Sequence, residues 1–82
     1  MSNTNNNAAA TISENDWNIA ALREARGFLR SQRDLDFALS LLRQHASKGR
    51  LSNKQWYWVG KLAEKAMMAA PPTFAMQVLS LF

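Results

Sequence analysis

The chain has 82 residues, a formal net charge of +4 with a sequence pI near 10.1, and 48% hydrophobic residues. That length allows one domain at most, and a domain so small buries only about 60–65% of its unfolded surface, so its stability is marginal. The chain contains no cysteine, which removes disulfides, thiolate chemistry and cysteine-based zinc sites together. Its apolar runs reach five residues at most, too short for any helix to span a bilayer.

Met1 to Thr11 is polar and low in complexity, with Asn-Thr-Asn-Asn-Asn followed by three alanines. It has no apolar period and little to bury, so its composition predicts a flexible arm ahead of a single helical domain over 12–82. It also lacks the basic start and apolar core of a secretory signal. The expected location is therefore the cytoplasm, with no membrane partner.

The first helix is predicted to start near Ser13, whose hydroxyl can accept from free backbone N–H groups. Glu14 and Asp16 sit where the helix dipole favours acids. Trp17, Ala21, Ala25 and Phe28 or Leu29 recur at helical spacing and mark a buried stripe. Arg23, Arg26, Arg30 and Arg33 form a loose basic stripe, read as a solvated face rather than as phosphate ligands. Gly27 weakens the helix by up to about 1 kcal/mol relative to alanine, which suggests a place for a close helix crossing. The helix should end near Ser31-Gln32-Arg33.

Ser31 or Asp34 then caps a second helix running to about Ala46. Leu35, Ala38, Leu41, Leu42 and His45 share one face, with Phe37 and Leu39 widening it. So apolar a helix is expected at the centre of the fold. Gly49 is the expected stop, because it accepts the left-handed conformation that closes a helix C-terminus.

The third helix has the clearest start. Ser52-Asn53-Lys54-Gln55 fits a capping box, in which the serine hydroxyl and the glutamine side chain each take one free backbone N–H. The helix should run to about Ala69. Trp56, Val59, Ala63 and Ala66 or Met67 make one stripe, and Trp58, Leu62 and Lys65 a second, so the helix should pack against two neighbours. Pro71-Pro72 ends it. Thr73 can cap a short final segment, Phe74 to Phe82, which carries no charged side chain. Such a segment is too short to be a stable free helix in water, so it should fold back or dock on another chain. The predicted fold is a small all-α bundle of three main helices with a short C-terminal helical tail.

Catalysis finds little support in the residue inventory. The single His45 has no cysteine to pair with, and no acid stands at metal-ligand spacing from it. There is no phosphate loop, nucleophile elbow or zinc signature. The sequence therefore predicts a non-enzymatic binding protein with no metal and no cofactor.

Phe37 to Ala63 carries the functional signal. It holds Arg43, Lys48, Arg50, Lys54 and Lys61 without a single Asp or Glu. These cations bracket a helix stop and a helix start, beside the triplet Trp56-Tyr57-Trp58. Three successive helical residues span roughly 200°, so the three rings cannot all face one core. Trp56 is the expected core member, with Tyr57 or Trp58 exposed. An exposed ring beside lysines can stack on an unpaired base, while the cations neutralise phosphates without reading sequence. The leading reading is contact with nucleic acid through Arg43, Lys48, Arg50, Lys54, Lys61, Tyr57 and Trp58. An acidic protein would suit the same cations. The alternative is a protein-interaction module anchored by Trp58, Val78, Leu79, Leu81 and Phe82, binding and modulating a host protein. A homodimeric adaptor using the same tail is a third reading.

Ser40-Leu41-Leu42, Gly49, Leu51-Ser52-Asn53-Lys54-Gln55-Trp56 and Lys61-Leu62 together make a helix–Gly–LSxKQ–helix pattern over about a third of the chain. It resembles a short module of small phage and bacterial proteins, most of them uncharacterised. The resemblance implies a phage or prophage setting, hence a host cytoplasm, and company with nucleic-acid metabolism. It carries no assigned activity and no catalytic residue.

Overall fold

Residues 12–82 are described by the computed structural model; the arm predicted over 1–11 lies outside them. Four helices follow in order: α1 (Glu14–Ala25), α2 (Gln32–Lys48), α3 (Asn53–Ala69) and the short α4 (Phe74–Leu79), with a 3-10 turn (Arg26–Phe28) after α1. No strand occurs among the described residues. The protein is a small all-α bundle of three main helices and a C-terminal helical tail. No helix among the described residues is long and apolar enough to cross a membrane.

Local chemistry sets most of the boundaries. Ser13 accepts from the Asp16 backbone N–H at 3.0 Å, and Ser31, rather than Asp34, caps α2 by accepting from the Asp34 N–H at 3.3 Å. The capping box of α3 is complete. Ser52 Oγ accepts from the Gln55 N–H at 3.1 Å, and Gln55 Oε1 accepts from the Ser52 N–H at 2.9 Å. Gly49 closes α2 in the left-handed region at φ 74°, where an L side chain is penalised. Thr73 makes no side-chain capping bond to α4. That helix is instead entered through a turn in which the Phe74 N–H donates to the Pro71 carbonyl.

Packing corrects two expectations about α1 and the turn that follows it. α1 stops at Ala25, about six residues before the predicted end, and tightens into the 3-10 turn. Phe28 and Leu29 still reach apolar partners, but through that turn. Phe28 sets its ring at 76° to Phe74, 5.2 Å away, and Leu29 packs against the core cluster. Gly27 is exposed with open space around it, so it permits no helix crossing. The close crossing falls at Gly60, where an added Cβ would come within 3.2 Å of the Asn18 side-chain amide.

α3, not α2, is the central helix. It packs against α1, the 3-10 turn and α2, while α2 contributes only Ala38 and Leu41 to the fully buried core. The α1–α3 face is made of small side chains, with Ala21, Ala25, Ala63 and Ala66 all buried. Small residues let two helices approach closely and bury backbone as well as side chains. The two helices advance in the same direction, since Asn18 lies over Gly60 while Phe28 and Leu29 share a groove with Met68 and Ala69.

α2 and α3 form an antiparallel hairpin. Its contacts run in opposite order along the two helices: Asp34 with Lys65, Phe37 with Trp58, His45 with Trp56. α4 folds back onto α1 and inserts Val78 into the core. This corrects the reading of Val78 as an interaction anchor. The side chain is fully buried and unavailable to a partner, because it fills the core on the one inward face of α4.

Candidate functional site

The α2–α3 turn and the outward face of α3 hold most of the residues singled out from sequence. Along α3, Lys54, Tyr57, Trp58, Lys61, Lys65 and Met68 recur at three- and four-residue steps. That spacing places them on one side of a helix, and all six are exposed. Trp56 points the other way and packs half-buried against the core, with its ring 5.6 Å from His45. The aromatic triplet is thus divided: Tyr57 is 57% exposed and Trp58 39% exposed, while Trp56 belongs to the hairpin interface.

The exposed rings are held by one another. Trp58 lies 5.8 Å from Phe37 and 5.3 Å from Tyr57, the latter pair edge-on at 80°. Lys61 Nζ sits 5.7 Å from the centre of the Tyr57 ring, within the range of a cation–π contact. The result is a row of three rings, Phe37, Trp58 and Tyr57, running from α2 across α3. A row held by such contacts is already ordered, so engaging a partner carries a lower ordering cost than free side chains would.

The cations fall into three groups. Lys48 and Arg50 line a shallow depression at the turn with Gln44, Leu51, Ser52 and Gln55. Arg43 lies beside it, with Ser40, Gln44, Ser47 and Lys48 around a second depression. Lys54 and Lys61 belong to the outward face of α3. Lys61 and Tyr57 also border a depression that includes Glu14 and Glu64, so the surface becomes mixed in sign on the α1 side. Among the described residues the one ion pair is Lys65 to Asp34, at 3.1 Å. Arg43, Lys48, Arg50, Lys54 and Lys61 are all exposed, and among the described residues none has a carboxylate within bridging distance.

Other residues take structural tasks. Gln55 is committed to its capping box. Asp36 accepts from Gln32 at 2.8 Å, one helical turn earlier. The anchors of the protein-interaction reading are not brought together. Trp58 stands at the α2–α3 edge, whereas Leu79 ends, and Leu81 and Phe82 follow, a helix that packs on α1. Sequence reasoning missed Phe37 as part of the aromatic row and Gln44 as a wall of the turn depression. Gln44 stands four residues before Lys48, a spacing that could have found it. Phe37 gave no such signal, because its partner ring is on another helix.

No family model, curated protein or solved structure matches this chain.

Proposed function

We propose that this protein is a non-catalytic nucleic-acid-binding module that prefers unpaired strands. Phosphates would lie along Lys48, Arg50 and Lys54, with Arg43 and Lys61 at the margins. Bases would stack on Trp58 and Tyr57. The observation that carries this reading is the pair of exposed rings set among lysines that have no acidic partner. A solvated face needs no aromatic row. The resemblance to a phage module, with its implied company of nucleic-acid metabolism, points the same way.

The electrostatic part has a definite signature. Neutralising about four phosphates of a single strand gives a slope of log K against log salt near −3. Stacking is sequence-tolerant, and each base contributes about 1–3 kcal/mol.

Fluorescence anisotropy of labelled single-stranded and duplex DNA and RNA, titrated at two salt concentrations, tests the reading. The expected result is salt-sensitive binding that is tighter for single strands. Arg50→Glu with Lys54→Glu should then weaken binding at least tenfold at unchanged helix content, since an acid in the first turn of α3 suits the helix dipole. Absence of binding at low salt, or full binding by that double variant, would overturn the proposal.

A further inference from the structure

Among the described residues, a second group of exposed apolar side chains, apart from the α3 face, is on the tail. Met76, Leu79 and Phe82 recur every three residues along α4 and the turn that extends it, where the Phe82 N–H donates to the Leu79 carbonyl at 3.1 Å. With Leu81 beside them, these side chains are between 45% and 68% exposed. On the inward side of the same segment, Val78 is buried and Phe74 packs against Phe28. The segment is therefore held in place, and the outward stripe is a fixed surface.

We infer that this stripe is the contact between two copies of the chain, related by a two-fold axis. Charge is the first argument. Each copy carries +4, so most of its surface repels a second copy. Thr73 to Phe82 contains no charged side chain, so contact along this stripe brings no like-charged side chains together. Size is the second argument. At these fractions the four side chains of two copies form an apolar centre that, with its polar rim, reaches the about 1,000 Å² a specific interface needs. A two-fold contact uses the same patch on both partners, which a single apolar stripe satisfies. The benefit is direct for a domain this small, whose own core is marginal.

Sedimentation velocity of the full chain over a dilution series, from near-millimolar to micromolar, tests the inference. The expected mass is twice 9.2 kDa at high concentration, falling toward one copy on dilution. Met76→Lys with Leu79→Lys should give one copy throughout, with unchanged far-UV circular dichroism. The single Met76→Lys variant, which alters the most exposed of the four, carries the test should the double variant lose helix. A wild-type chain that stays single at every concentration would overturn the inference. So would a dimer that both variants retain. A single-copy chain that sediments with neutral phosphatidylcholine vesicles through the same stripe would also overturn it, assigning the surface to lipid.

Discussion

The two sides of α3 are built on opposite rules. Toward α1 it offers Gly60, half-buried beneath the Asn18 side chain, and the buried Ala63 and Ala66, small residues that allow close helix contact. Toward solvent it offers Lys54, Tyr57, Trp58 and Lys61, which are exposed and pair with no acid among the described residues. The first side supplies stability through area and fit; the second leaves rings and charges unused by the fold. One helix can thus be altered on either side with separable consequences, and this separation is open to experiment.

The largest effect is expected in the core. Leu22 is fully buried on α1, and Leu22→Ala should cost about 3–5 kcal/mol. At roughly 4–8 °C per kcal/mol for a domain of this size, thermal denaturation should show the loss readily, and the chain would be near unfolding at room temperature. Next is overpacking of the α1–α3 face. Ala21→Leu should cost about 1–3 kcal/mol, read as a lower denaturant midpoint, while any folded fraction keeps its nucleic-acid affinity. A tolerated leucine there would mean that the two helices are not closely apposed.

The outward side should behave in the opposite way. Trp58→Ala is expected to lower single-strand affinity by about 1–3 kcal/mol in an anisotropy titration, with a much smaller shift in melting temperature than Leu22→Ala produces. A variant that instead melts early and binds normally would place Trp58 with the core. Ser52→Ala removes one half of the capping box and should cost about 1 kcal/mol, visible in chemical denaturation. The smallest effect belongs to the surface ion pair: Lys65→Met should change stability by less than about 1 kcal/mol. Equal losses for core and surface changes would dissolve the distinction between the two sides.

Much of this architecture can be read in the chain alone, since helix ends depend on neighbours in sequence. Ser13, Ser31 and Ser52 accept bonds from N–H groups three residues on. Gly49 supplies its own left-handed turn, and Pro71 and Pro72 cannot continue a helix. The candidate site was legible in the same local terms, as a run of cations without acids and a triplet of rings too wide for one face.

The remainder depended on residues distant in sequence. The end of α1 was misplaced because Phe28 and Leu29 keep the helical period, while their actual partners, Phe74 among them, lie on other elements. The centrality of α3 and the close approach at Gly60 follow from which faces pair, and apolar periodicity marks a face without naming what covers it. The row from Phe37 through Trp58 to Tyr57 likewise exists only once α2 is folded antiparallel to α3. Capping and turn formation are short-range and so are determined by the sequence. The choice between equivalent apolar faces is a competition for buried area over the whole chain, and only the tertiary structure decides it.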